Sequence, residues 1–398
     1  MLNELAARVQ AIKPSPTLSV AARADELAAS GKDIISLSVG EPDFDTPKHI
    51  CEAAIAAIKH GQTRYTAVEG TASLKRAIIQ KFQRDNQLDF SPNEIIVSCG
   101  AKHSIYNLFA ALLNPNDEII IPAPYWVSYP DMAKLMGAHP VSIKTTHTQQ
   151  FKITPAQLQA AITDHTRIIM LNSPSNPTGV SYTKNEWIAL ADVLLQYPDI
   201  VIATDDIYEH TQWSQEKFCN ILMACPALRE RCVVINGVSK TYAMTGWRIG
   251  YTAGPAKIIA AMKKIQSQST SNPCSISQAA AEAALNGDQS CTIEMTKAFH
   301  ARHDYLVAEL QKIPGIVAQP CDGTFYTFPS FEKWIEMSDR FNDDIGLAEY
   351  LLDEVGVAVV PGSAFGAPGY LRISYATSME KLQQAVQRFK AAAEKLNL

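Results

Sequence analysis

The sequence predicts an α/β protein: a largely parallel β-sheet covered by helices on both faces, followed by a smaller α+β part. Two observations carry this expectation. Through the middle of the chain, short apolar and β-branched runs alternate with helix-patterned stretches, the pattern of β–α–β units that build parallel sheets. After about residue 290 that alternation gives way to a long charged helix pattern and a few short strands.

In chain order the strands are NEIIVSCG (93–100), DEIIIPAP (117–124), TRIIMLNSP (166–174), DIVIATDD (199–206), RCVVINGVS (231–239) and WRIGYTAG (247–254). Each is a nearly continuous apolar run that ends in turn residues, as expected of strands buried on both faces. Helical patterns cover 103–113 and 184–195 between them. Farther on, a helix is expected over 292–312, strands around 324–328, 357–360 and 371–374, and a closing helix from Ser378. The first forty or so residues show no core of their own and are expected to pack with the C-terminal part or on a neighbouring subunit.

Composition narrows the function. The chain has 398 residues, with 35 Lys+Arg against 40 Asp+Glu and a net charge of −5, so no basic excess exists to hold a nucleic-acid backbone. A hydrophobic share of 47% with 19% charged residues is ordinary for globular domains and excludes disordered and fibrous classes. The longest apolar runs, 108–113 and 355–360, fall far short of the ~18 residues of a membrane span. The start, MLNELAARVQAIKPS, lacks the features of a secretory signal, and a cytoplasmic protein is expected. Cys51, Cys99, Cys219, Cys225, Cys232, Cys274, Cys291 and Cys321 form no C-x-x-C pair, which indicates neither a disulfide framework nor a zinc site. His300 and His303 could share a helix face, but with no third ligand nearby that face is expected to be solvated and metal-free.

Four motifs fall where the strands end, the usual place for ligands of such sheets. In VSKTYAMTGWRIGY (238–251), Lys240 follows a strand and Arg248 trails it by eight positions. Most lysines are solvated, but one at a buried strand end has a lowered pKa and can form a Schiff base with a carbonyl. In TDDIYEH (204–210), Asp205 closes a strand and could face a cation such as a pyridinium nitrogen, while Asp206 reads as a helix N-cap or solvated turn. LNSPSNPTG (171–179) is a double proline turn around Asn176, and CGAKHS (99–104) runs from strand to helix so that backbone N–H groups could hold an anion. No G-x-G-x-x-G or P-loop pattern occurs.

Taken together and in this order, the motifs resemble the fold-type I pyridoxal-phosphate enzymes, specifically the class I aminotransferases. The resemblance extends from KPSPTLSV (13–20) and GEPDFDTP (40–47) through YTAVEG (65–70) and APYWVSYP (123–130) to VAVVPGSAFG (357–366) and LRISYAT (371–377), and it is closest to bacterial aspartate aminotransferases of the thermophile type. It implies a seven-stranded, mainly parallel sheet in a large cofactor-binding domain (49–290), a small domain (291–398), and an N-terminal segment (1–48) packed on the small domain.

The resemblance also implies roles. Lys240 would be the Schiff-base lysine and the general base and acid of a ping-pong transfer from L-aspartate to 2-oxoglutarate, through pyridoxal 5'-phosphate. Asp205 would pair with the pyridine nitrogen, Asn176 and Tyr208 would bond the 3-oxygen, and Trp126 would stack on the ring. Gly100, Ala101, Lys102 and Arg248 would hold the phosphate. Tyr65 would reach the phosphate of the other subunit of a homodimer. Arg372 would clamp the substrate α-carboxylate beside Gly40, Trp126 and Asn176, with Lys102, Thr17 and Ser15 at the second carboxylate. Gly237 stands where many relatives carry a phosphate-binding serine, as it does in the thermophile type. Prephenate or aromatic substrates, dual specificity, or a lyase reaction on the same scaffold remain alternatives, whereas a DNA-binding regulator is disfavoured by the charge and by motifs that begin at Lys13. The expected partners are amino acids and 2-oxo acids, with no nucleic acid and no membrane.

Overall fold

A computed structural model describes residues 5–397, so the first four residues and the last residue of the expected segments lie outside the described residues. The central sheet has seven strands: β1 (Ile95–Ser98), β2 (Glu118–Ala123), β3 (His139–Lys144), β4 (Thr166–Asn172), β5 (Val201–Asp205), β6 (Cys232–Gly237) and β7 (Gly250–Ala253). Their order is β1-β7-β6-β5-β4-β2-β3. All neighbours are parallel except β7, which runs against both β1 and β6. β3 had no counterpart among the expected strands, because its residues, HPVSIK, are partly polar and partly exposed at the sheet edge.

Alternation along the strands divides the sheet between two cores. Ile169, Leu171 and Ile202 face one, and Ile168, Met170 and Ala203 face the other. Each fully buried aliphatic side chain here contributes roughly 1.5–3 kcal/mol. The run read as a strand over 247–254 is shorter than expected. Thr245–Trp247 forms a 3-10 turn and Arg248 takes a left-handed conformation, so the strand begins only at Gly250.

A third core gathers Phe299 and Leu306 from helix Ser290–Leu310, Leu371 and Ile373 from strand Leu371–Ser374, Phe389 from helix Met379–Lys395, and Ile35 and Leu37 from the N-terminal segment. Strand Ile35–Ser36 pairs in parallel with Val357–Ala358, and helix Pro16–Ala29 packs Ala24 and Leu27 against Leu352 and Ala358. No helix among the described residues is long and apolar enough to cross a membrane.

His303 departs from its expected solvated face. It is 3% exposed, accepts the backbone N–H of Cys321 at its Nε2, and burial lowers its pKa. The partner arrives from a remote loop, so helical spacing alone misplaces this residue; no metal-holding cluster occurs among the described residues.

Candidate active site

Strand direction brings the motifs together. β1, β2, β4, β5 and β6 all end on the same edge of the sheet, and the antiparallel β7 begins there. Gly100–Lys102, Trp126, Asn176, Asp205, Lys240 and Arg248 follow or close these ends within a few residues, although they span nearly 150 positions of sequence.

A cavity of about 320 Å³ opens at this edge. Its lining includes Ala101, Lys102, Trp126, Asn176, Asp205 and Tyr208. Lys240, Arg248 and Arg372 line it too, as do Gly40, Ser15 and Thr17 from the N-terminal segment. Gly100 lies just behind it as the residue before helix Ala101–Leu112. Tyr65 does not line the cavity of its own chain and is 93% exposed.

Lys240 donates to the Gly40 carbonyl at 2.5 Å. Burial brings its pKa down to about 8; Glu41 opposes this shift, while Arg372 and Arg248 reinforce it. Such an amine is partly neutral near physiological pH and can take up a proton or attack a carbonyl. Asp205 accepts from the Tyr129 hydroxyl at 2.7 Å and from the Ile207 N–H at 3.3 Å. Burial still raises its pKa to about 6, so its ionised form lacks a full cationic partner in the protein alone.

Arg372 is 2% exposed. It donates to Asn176 Oδ1 at 3.1 Å and to the Ser38 carbonyl at 2.7 Å, while its Nε has no partner among the described residues. Tyr326 and Phe365 place their rings 4.4 and 5.1 Å from the guanidinium. A buried cation with an unspent donor is set to receive a carboxylate. Asn176 is held in turn by Asn172, whose Oδ1 accepts its N–H at 2.8 Å and whose amide donates to the Asp205 carbonyl at 2.8 Å.

The helix start at Gly100 carries no side-chain cap, unlike the starts of Ala72–Lys81 and Lys184–Leu194, which Thr71 and Thr183 cap. Its first N–H groups are therefore free of side-chain acceptors and could hold an anion. Gly100 has φ +91°, and a Cβ there would lie 2.3 Å from Arg248 Nη2. A Cβ on Gly250 would lie 2.1 Å from the Ala101 nitrogen, so both glycines permit the close approach of strand, helix start and guanidinium. Lys102 sits at the rim with Nζ 4.9 Å from the Trp126 ring, and burial followed by repulsion from Arg248 lowers its pKa.

Asp206 is not the solvated turn expected. It is 1% exposed, accepts from Thr204 and Asn220 at 2.6 Å each, and burial raises its pKa to about 7. Thr204 lies two residues back in the same motif, whereas Asn220 folds over from 14 residues further on, which local sequence does not reveal. Sequence reasoning also missed Tyr129, Asn172, Ser239 and Tyr326 as cavity residues. The first three lie inside quoted motifs but carry no signal of their own.

Residues 32–389 match the aminotransferase class I and II family. The chain is 57% identical over 97% of its length, and 98% of the relative's, to an aspartate/prephenate aminotransferase of Nitrosomonas europaea. It superimposes with a TM-score of 0.95 on the aspartate aminotransferase of Rhizobium meliloti, at 44% identity over 98% of this chain and 99% of that one. With the Thermus thermophilus aspartate aminotransferase in complex with maleate the TM-score is 0.92, at 40% identity over 98% and 100% of the two chains. The protein belongs to the class I and II aminotransferase family. It is an enzyme of that family with the fold-type I architecture.

Proposed function

We propose that this aminotransferase moves the amino group of L-aspartate to 2-oxoglutarate, giving oxaloacetate and L-glutamate, with pyridoxal 5'-phosphate as cofactor. The observation that carries the reading is the charge of the cavity: Lys102, Lys240, Arg248 and Arg372 line it against a single carboxylate, Asp205. That balance suits a phosphate, two substrate carboxylates and one protonated ring nitrogen. Maleate, carried by the Thermus relative, is likewise a dicarboxylate.

The donor set fits the cofactor. Arg248 and the uncapped helix start of Gly100, Ala101 and Lys102 would hold its phosphate, and Asp205 would hold its ring nitrogen in place of the missing cation. Trp126 would cover the ring, and Asn176 and Tyr208 would reach its 3-oxygen. Bound there, pyridoxal phosphate would supply a carbonyl that takes up the amino group and a ring that withdraws electrons from the substrate α-carbon. Lys240 gives and takes the proton at that carbon. Arg372, steadied by Asn176 and Ser38, fixes the α-carboxylate beside Gly40, while Lys102, Thr17 and Ser15 receive the distal one.

A second reading adds prephenate as an acceptor. It is favoured by the name of the Nitrosomonas relative and by chemistry, since prephenate also carries two carboxylates that the same cations would meet. We further propose a homodimer, because Tyr65 is exposed and outside its own cavity, as a residue serving the partner would be. The separate cores support a large domain over 49–290 and a small one over 291–398 carrying the N-terminal segment.

The test is an acceptor requirement. Aspartate should yield oxaloacetate beyond one turnover per site only when 2-oxoglutarate or prephenate is present. Sustained release of pyruvate and ammonia without an acceptor, from an amino acid carrying a β-leaving group such as cystathionine, would make the protein a lyase.

A further inference from the structure

One wall of the cavity holds a tyrosine that no motif singled out. Tyr326, on the short strand Tyr326–Thr327, is 1% exposed yet lines the cavity. Its register places it opposite Ser374, two residues from Arg372. The ring centroid is 4.4 Å from the Arg372 guanidinium, and the hydroxyl is 3.1 Å from that of Tyr208. A Cβ on Gly40 would lie 2.7 Å from the same hydroxyl, so the glycine leaves room for this phenol.

Two phenols at this distance share one hydrogen bond, in which only one can donate. A cation over a phenol ring makes its hydroxyl the stronger acid and the better donor. Burial pushes both phenols up, Tyr208 well above its ordinary value; Arg372 opposes the rise at both, but it is the Tyr326 ring that its guanidinium covers. Tyr326 accordingly donates and Tyr208 accepts, which leaves the Tyr208 proton for an acceptor in the cavity.

We propose that Tyr326 is a positioning residue that couples the carboxylate clamp to Tyr208: it directs the Tyr208 proton toward the cofactor oxygen and relaxes that donation when a substrate carboxylate neutralises Arg372. The inference rests on the roles given above to Tyr208 and Arg372. Its logic is electrostatic. With the guanidinium paired to a carboxylate, the field over the Tyr326 ring weakens, Tyr326 donates less strongly, and Tyr208 becomes the poorer donor in turn.

The measurement is a pH titration of the visible absorbance of the holoenzyme, with and without maleate as an unreactive dicarboxylate probe. Tyr326→Phe keeps the ring beside Arg372 and removes only the hydroxyl. A weaker Tyr208 bond leaves more negative charge on the cofactor oxygen and holds the neighbouring proton to higher pH. The absorbance midpoint should therefore move up by about half to one pH unit. The response to maleate should shrink, and kcat for aspartate should fall by a larger factor than KM rises.

In a Tyr208→Phe background the second substitution should move the midpoint no further. Arg372, Asp205 and Lys240, the charged groups around the pair, are unchanged in these variants. An unmoved midpoint, an equal shift in the Tyr208→Phe background, or a maleate response of full size would overturn the coupling. The melting temperature of the apoprotein should stay near that of the parent; a large drop together with an unmoved midpoint would assign Tyr326 to the fold alone. Borohydride labelling of Lys240 in the same preparations tests the reading of the site separately, since its failure would remove the cofactor role whatever Tyr326 does.

Discussion

Asp205 and Asn176 at the edge of the central sheet, and Arg372 on strand Leu371–Ser374 of the smaller part, are buried and already hold protein partners, whereas at the rim Ser15, Thr17 and Lys102 are more exposed and their side chains have no hydrogen-bond partner among the described residues. The first group is fixed before any ligand arrives, by strand ends and by bonds that cross from one strand to the next. The second sits on a helix start and on an N-terminal segment tied to the smaller part of the molecule. Under the proposed function, the contrast places reaction type at the rigid end and substrate choice at the looser one. Pre-organised groups stabilise developing charge without reorganising, while a loosely held pair gains order only when the correct carboxylate arrives.

The largest effect should come from the rigid end. Lys240→Ala would remove the proposed proton carrier at the α-carbon, and turnover should fall by at least the 10²–10⁴-fold typical of a positioned acid–base group. Reduction of the parent enzyme with borohydride, followed by peptide mapping, should place the pyridoxyl group on Lys240. A label on another lysine would move the reaction centre away from the strand ends and erase the contrast.

A smaller effect sharpens the same comparison through stability. The Asp205 carboxyl titrates near 6 in the fold against an ordinary 3.8, so the folded chain binds the extra proton between those values. Its contribution therefore falls as pH rises from about 4 through 6, by roughly 3 kcal/mol in the apoprotein. Asp205→Asn lacks that titration. The stability of the variant relative to the parent, both without cofactor, should rise by that order between pH 4 and pH 8, even though the variant loses most activity. A flat difference would mean that Asp205 already has an adequate cation in the protein alone.

The sequence made the rigid end legible because its functional residues cluster in contiguous motifs at strand ends, where the direction of a parallel sheet forces them together. Lys240, Asp205 and Arg248 needed only their local context to be singled out. Tyr129 did not stand out, since its bond to Asp205 joins positions 76 residues apart. The same holds for Lys81, fully buried against Glu209 more than a hundred residues away, and for His303, whose partner is the backbone of Cys321. A single chain read along its length shows which residues are able to react, but not which remote groups fold over them. The roles of Ser15, Thr17 and Lys102 came from resemblance rather than from spacing, and the cavity lining is what draws these three positions to one place.

The central claim is that the two carboxylates of the substrate are received at opposite kinds of site, one fixed and one loose. It is tested most directly by kcat/KM for aspartate and for alanine in Lys102→Ala, with Arg372→Lys as the companion variant. Losing one member of a desolvated charge pair typically costs about 2–5 kcal/mol. Lys102→Ala should lower the value for aspartate by roughly 30-fold or more while leaving slow alanine turnover nearly unchanged, and Arg372→Lys should impair both alike. Equal losses for aspartate and alanine in Lys102→Ala would contradict the account and assign Lys102 to the cofactor or the fold.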